Sequence, residues 1–148
     1  MAELDKLAIR GVRSFGPRDV NIIQFFKPLT VIVGHNGSGK TTIVECLKYA
    51  ATGDLPPHTK GGGFLHDPNM AGTDTVKAQV RLRFRNTHGV RMNCVRNLQV
   101  SKKKGGGLSM KTLEGVLGID DEEAEPHARN SISTRCAELD TEMASLLG

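Results

Sequence analysis

The sequence has no tryptophan and one tyrosine, and aromatic residues make up 4% of its 148 positions. A core of this composition must be built mostly from aliphatic side chains. Cysteine is scarce too: Cys46, Cys94 and Cys136 form an odd set with no Cys-x-x-Cys spacing, and each sits in an apolar pattern. That reads as buried, reduced thiols rather than a disulfide framework or a zinc site, and it argues for a reducing compartment. No apolar run is long enough to span a bilayer, and Met-Ala-Glu-Leu-Asp-Lys at the start carries no hydrophobic region of a secretion signal, so no membrane partner is expected. The net charge of +4 is too mild to point to a partner until its distribution is known. The length suits one domain with a real core.

Against these absences stands one dense motif. Gly34 to Thr41 spells G-x-x-x-x-G-K-T, the phosphate-binding P-loop. Leu29, Val31, Ile32 and Val33 precede it as a short β-branched run, the pattern of a buried strand. Ile43, Val44, Leu47, Ala50 and Ala51 follow at helical spacing, and Gly53 stands where a helix C-cap belongs. The order strand, glycine loop, helix is the one the chemistry requires. A triphosphate needs many donors at short range. Gly37 and Gly39 lack a Cβ, so backbone N–H groups can curl around the phosphates, and the helix N-terminus adds its dipole. Lys40 would reach the β- and γ-phosphates, Thr41 would ligate Mg²⁺, and Thr42 is placed to donate to a phosphate. No catalytic residue beyond Lys40 is identified.

Around the motif the chain reads mostly as strands. Residues 4–13 alternate, with Leu7 and Ile9 on one face and Lys6, Ala8 and Arg10 on the other. Ser14–Pro17 is a turn, and residues 20–26 are a second strand whose buried face is ambiguous. Residues 53–74 form a long connection rich in Gly, Pro, Asp and His, the kind of loop that is functional or mobile. Residues 75–85 are the clearest strand: Val76, Ala78, Val80, Leu82 and Phe84 face one way, and Lys77, Gln79, Arg81, Arg83 and Arg85 the other. Asn86–Gly89 is a hairpin turn, and residues 90–101 return as a strand. Arg96 falls in the apolar phase of that strand, which marks either a bulge or the strand's exposed end. Leu108–Ile119 reads as a strand followed by a short helix around Leu113 to Leu117. Asp120–Pro126 is an acidic linker of disordered composition. From Ser131 a helix is expected, running over about 133–147, with Cys136, Leu139, Met143 and Leu146 on one face, Ser133 or Thr134 as its cap and Gly148 at its end.

Charge is unevenly spread. Between Thr75 and Leu113 lie ten Lys or Arg residues and no Asp or Glu. Arg81, Arg83 and Arg85 project from one strand face at period two, and Lys102, Lys103 and Lys104 form a loop tip. Such a stripe suits contact with the phosphates of a duplex, without base reading. The plainer alternative is a solvated strand face kept soluble by charge. No aromatic residue interleaves, which argues against stacking on single strands.

Several stretches together resemble one family. They are Arg10–Gly16, Pro28–Tyr49, Thr52–Pro57, Phe64–Pro68, Lys111–Val116 and Cys136–Met143. The chain is similar to the ABC-type ATPase subunit of the eukaryotic double-strand-break repair nuclease complex, a relative of the structural-maintenance-of-chromosomes proteins. The resemblance implies an α/β P-loop NTPase fold: residues 1–148 would be the N-terminal half of an ATPase head, an antiparallel meander leaning on a strand–P-loop–helix unit whose sheet is incomplete. It implies that Arg13, Asn36, Gly37, Ser38, Gly39, Lys40, Thr41, Thr42, Leu65 and Asp67 contact ATP, with Mg²⁺ on Thr41. It implies that Arg81, Arg83, Arg85 and Lys102–Lys104 lie in a lobe that holds double-stranded DNA. The implied partners are the C-terminal half of the head, a second head and a repair nuclease, in the nucleus and on chromosomes. The family's glutamine loop, zinc hook, signature motif and catalytic glutamate match nothing in these 148 residues.

From this follows an expected function. ATP and Mg²⁺ would close two heads on DNA and hydrolysis would release them, with this half binding ATP but not turning it over alone. The alternatives are a duplex-binding module that uses nucleotide only as a regulator, and another P-loop ATPase of DNA repair.

Overall fold

The computed structural model describes residues 2–34, 39–59, 62–119, 131–134 and 136–148. The elements in order are β1 (Glu3–Arg10), β2 (Asn21–Gln24), α1 (Lys40–Thr52), α2 (Pro68–Ala71), β3 (Thr75–Arg85), β4 (Arg91–Lys102), β5 (Leu108–Thr112), β6 (Gly115–Ile119), β7 (Ser131–Thr134) and α3 (Cys136–Leu147). The strands make one antiparallel sheet in the order β2-β1-β3-β4-β6-β7, with β5 also on β4. The expected antiparallel pairs on either side of the P-loop unit are thus joined edge to edge, because β3 pairs with β1 and with β4.

The alternation of β3 and β4 sets the frame. Their register runs unbroken from Thr75 opposite Ser101 to Arg85 opposite Arg91. Asn86 closes the turn, its side-chain oxygen accepting from the backbone N–H groups of His88 and Val90 at 2.9 and 3.0 Å. Every second residue then faces one layer of helices. Leu7, Ile9, Val76, Val80, Leu82, Phe84, Cys94, Leu98 and Val100 are buried there, with Cys46, Tyr49 and Ala50 of α1 and Leu139 and Met143 of α3. Each Leu, Val or Phe so buried contributes about 1.5–3 kcal/mol relative to exposure. Gly115 admits α3 to the sheet: a Cβ there would lie 2.4 Å from Leu139 Cδ2 and 2.9 Å from the Val95 carbonyl.

Five expectations change. Residues 29–33 are no strand; no described strand pairs with them, and Leu29, Val31 and Val33 are 75%, 72% and 87% exposed. A β-branched run becomes a buried strand only when neighbouring strands take its backbone groups, and none stands there among the described residues. The helix expected around Leu113 to Leu117 is β6, held by pairing with β4 and β7. The C-terminal helix begins at Cys136; Ser131–Thr134, expected to open and cap it, are β7 on the edge of β6. Arg96 sits at neither a bulge nor an exposed end. It is opposite Val80 in the unbroken register and is 4% exposed. In β2 the ambiguous face resolves, with Ile23 half-buried against the core and Ile22 67% exposed. The acidic linker lies outside the described residues.

Candidate nucleotide site

The first turn of α1 carries the site. Gly39, its N-cap, has φ +98, and the Phe15 ring lies 3.2 Å from where a Cβ would stand. Only glycine fits both constraints. The helix starts with the Ile43 N–H donating to the Gly39 carbonyl at 3.0 Å. No side chain caps it and no acidic residue occupies its first turn, which leaves the positive end of the helix open to an anion. Lys40 Nζ donates to the Gly34 carbonyl at 2.5 Å, so the two ends of the glycine loop are tied by the motif's own cation. Thr41 is exposed beside it, while Thr42 is 6% exposed. Asn36, Gly37 and Ser38 lie outside the described residues.

Beside α1, two connections interlock. The turn after β1 holds Gly11 at φ +71, and a Cβ there would be 2.5 Å from the Lys77 carbonyl. The Gly11 carbonyl accepts from the His66 N–H at 2.8 Å, and Val12 bridges Leu65 in antiparallel fashion. Arg13 adopts φ +48, a conformation that a side-chain-bearing residue keeps only when its surroundings over-determine it. They do: its N–H donates to the Phe64 carbonyl at 3.0 Å, and its carbonyl lies 2.6 Å from His66 Nδ1. Its guanidinium reaches Glu45 on α1, with Nε and Nη2 donating to Oε2 at 3.2 and 2.8 Å, and it lies 5.9 Å from the centre of the Phe64 ring. Leu65 is 4% exposed and packs in the same joint. Asp67 caps α2, its Oδ1 accepting from the Asn69 N–H at 2.9 Å. Phe64, Leu65 and His66 of the long connection are thus docked on the turn that carries Arg13, beside the P-loop helix.

Gly39 leads into an uncapped helix with a lysine at its first position, an arrangement that suits an anion, and the AAA domain pattern matches residues 6–141. The chain belongs to the AAA domain family. Over its whole length this AAA domain is similar to DNA repair proteins. It is 55% identical over 148 residues to the DNA repair protein rad50 of Schizosaccharomyces pombe, covering 100% of this chain and 11% of that protein. It is 49% identical over 148 residues to DNA repair protein RAD50 of Saccharomyces cerevisiae, again with 100% and 11% covered. The likeness to the chromosome partition protein Smc of Halothermothrix orenii is 38% over 76 residues, 51% of this chain and 6% of that protein. The chain therefore spans about a tenth of the length of the curated DNA repair proteins it matches.

The six basic residues expected to meet DNA fall in two places. Arg81 and Arg85 are exposed on the outer face of β3, whereas Arg83 between them is ion-paired to Asp5 at 3.1 Å and its side chain is 18% exposed. Lys103 and Lys104 stand exposed on the tight turn between β4 and β5, where Gly106 and Gly107 take positive φ; Lys102 lies 4.0 Å from Asp74. The arginine stripe is less uniform than its spacing suggests, because β1 brings an acid against its centre.

Two residues of the nucleotide side escaped the sequence pattern: Glu45 and His66. Glu45 alone had a readable signal, lying one helical turn after Thr41 and so on the same helix face. Among the described residues no cluster of three or more His, Cys, Asp or Glu is placed to hold a metal. Cys46 and Cys94 are free and buried. Burial pushes the Cys46 thiol up to about 12, reinforced by Glu45, and the Cys94 thiol up to about 11. Neither is a nucleophile near neutral pH.

Proposed function

We propose that this AAA domain is the ATP- and Mg²⁺-binding half of an ABC-type ATPase head in a DNA-repair machine of the nucleus and its chromosomes. One observation carries the reading: Gly39 at positive φ opens an uncapped α1 behind Lys40. Similarity over the whole chain to DNA repair proteins supports the biological setting. Thr41 offers one exposed hydroxyl oxygen, which suits a Mg²⁺ held otherwise by phosphates and water. Such an ion, when bound, would neutralise charge between the β- and γ-phosphates. Lys40 would leave the Gly34 carbonyl for a phosphate, and Arg13, Leu65 and Asp67 would close around the nucleotide. The exposed run Leu29–Val33 is the side on which the complementary half of the head would complete the sheet. A second head would then cap the γ-phosphate, so that ATP binding closes a clamp on DNA beside a repair nuclease and hydrolysis opens it. This half alone binds ATP without turnover, since among the described residues no positioned base follows the P-loop.

Calorimetric titration with MgATP tests the site. Lys40→Ala should abolish binding with the far-ultraviolet dichroism unchanged, and the wild-type chain should release no phosphate until the complementary half is added. Undiminished binding by Lys40→Ala would reject the reading.

The exposed Arg81, Arg85, Lys103 and Lys104 favour a second reading, a duplex-binding module in which nucleotide only regulates. Changing Lys102, Lys103 and Lys104 to Glu should weaken duplex affinity and flatten its dependence on salt. Equal affinity and slope would remove the loop as a DNA contact.

A further inference from the structure

Glu45 has no part in the P-loop motif, yet it holds the side chain of Arg13 across the joint. The hold is one-sided. Nε and Nη2 both donate to the single oxygen Oε2, and among the described residues no other hydrogen bond is made by this guanidinium. A guanidinium has five N–H donors in a rigid planar fork, so both donors of Nη1 and one of Nη2 remain. That free edge is the one that pairs with a phosphate through two parallel bonds. The remaining freedom of the side chain is restricted by the Phe64 ring beneath it and by the fixed backbone of Arg13, clamped by Phe64 and His66 at φ +48. The pair is half-shielded, the Arg13 and Glu45 side chains being 36% and 19% exposed. Glu45 is also one turn beyond Thr41 on α1, which sets the held guanidinium beside the same helix face that carries the P-loop threonine.

We propose that Glu45 is a positioning residue for Arg13: it occupies one edge of the guanidinium so that the opposite edge is presented to the phosphates of a bound nucleoside triphosphate. The proposal rests on the nucleotide-binding reading above. A free arginine loses much rotamer entropy when a phosphate captures it. Glu45 removes that cost beforehand by ordering the side chain in the empty protein.

The test is MgATP calorimetry and thermal melting on the full chain, comparing wild type with Lys40→Ala, Arg13→Ala, Glu45→Ala, Glu45→Gln and the Arg13→Ala/Glu45→Ala pair. Glu45→Ala should weaken affinity about tenfold, the loss of one charge-assisted hydrogen-bonded partner. The double variant should bind no more weakly than Arg13→Ala alone, since the glutamate acts only through the arginine. Glu45→Gln keeps a carbonyl oxygen that accepts both N–H groups and should stay within about threefold of wild type. Additive losses, wild-type affinity in Glu45→Ala, or a lower melting temperature with unchanged affinity overturn the proposal. Should Glu45→Ala not fold, Glu45→Ser serves instead, alone and beside Arg13→Ala: a loss of affinity that vanishes in the Arg13→Ala background supports the proposal, and an additive loss overturns it. Binding that survives Lys40→Ala rejects the nucleotide reading itself, and the proposal with it. Binding lost in Lys40→Ala but indifferent to Glu45 rejects the proposal alone.

Discussion

The two ends of α1 are built to opposite rules. At the C-terminal end the backbone is closed off. Gly53 takes φ +79 and donates its N–H back to the Tyr49 carbonyl at 2.8 Å. Arg96 comes up from β4 under that end. Its Nε donates to the Ala50 carbonyl at 3.0 Å, its Nη1 donates to Asp140 of α3 at 2.6 Å, and its guanidinium lies 5.5 Å from the centre of the Tyr49 ring. A cation at a helix C-terminus meets the negative end of the dipole, so the charge that breaks the apolar phase of β4 is matched three times over. At the N-terminal end, among the described residues, no side chain caps the helix, no acid occupies its first turn, Thr41 is exposed, and the apolar run Leu29–Val33 before it is exposed. Both ends use a left-handed glycine and a nearby arginine. Arg96 is buried with the fold around it, its Nη2 without a hydrogen-bond partner, whereas the Arg13 side chain is 36% exposed and its unused donors can reach a ligand. The lesson is that a fixed helix is what makes an open end useful, because phosphate donors can be preorganised only on a helix that does not move.

The closed end should break first and hardest at Asp140. Asp140→Ala strands the Arg96 charge at 4% exposure, and we expect about 3 kcal/mol lost by urea unfolding, the low end for a broken buried pair because the Ala50 carbonyl and Tyr49 ring remain. Arg96→Met should cost less, about 1–2 kcal/mol, since the Asp140 side chain is 38% exposed and can hydrate. If the arginine change proves the costlier one, the contacts to α1 outweigh the ion pair. Gly53→Ala belongs to the same joint: its Cβ would stand 2.2 Å from Asp140 Oδ1, so part of its cost should vanish in the Asp140→Ala background.

How far the sequence led follows the same division. Strands β3 and β4 were legible because eleven consecutive pairs keep one alternation, and the helix was legible between its two glycines. The local pattern of Arg96 was equally visible, but its meaning was not. Its partners lie 46 and 44 residues away, on α1 and α3. Gly115–Ile119 offers only Val116, Leu117 and Ile119 as apolar markers, and pairing with β4, not periodicity, makes it a strand. Ser131–Thr134 read as the first turn of a helix because the stripe from Cys136 onward fits when extended upstream; the edge of β6 overrides it. Leu29–Val33 erred the other way, having strand composition without a sheet to join. At the site, Gly39 and Lys40 follow from spacing, while His66 gains its place from a joint between residues 11–16 and 62–66 that no local pattern announces.

The smallest expected effect separates the two ends by pH. Cys94 lies at the closed end, its Sγ 3.8 Å from the Ala50 carbonyl, and Cys46 is one turn back on the inner face of α1. Burial raises both thiols, from an ordinary value of 9.0 to about 11 for Cys94 and to about 12 for Cys46. Above pH 9 the unfolded chain therefore releases these protons while the folded chain keeps them, so the folded state binds more protons and stability falls as pH rises. The contribution is full below pH 9. For each thiol it declines by about 1.4 kcal/mol per pH unit until the folded value is reached, near 11 for Cys94 and near 12 for Cys46. Lysine and tyrosine titrate in the same range, so the useful quantity is a difference. The urea midpoint of Cys94→Ala, lower than wild type at pH 8 because a cavity is left, should fall less steeply between pH 9 and 10.5. Parallel pH curves for the two proteins would mean that hydroxide reaches Cys94 in the folded state, and that the C-terminal end of α1 is as open as its N-terminal end.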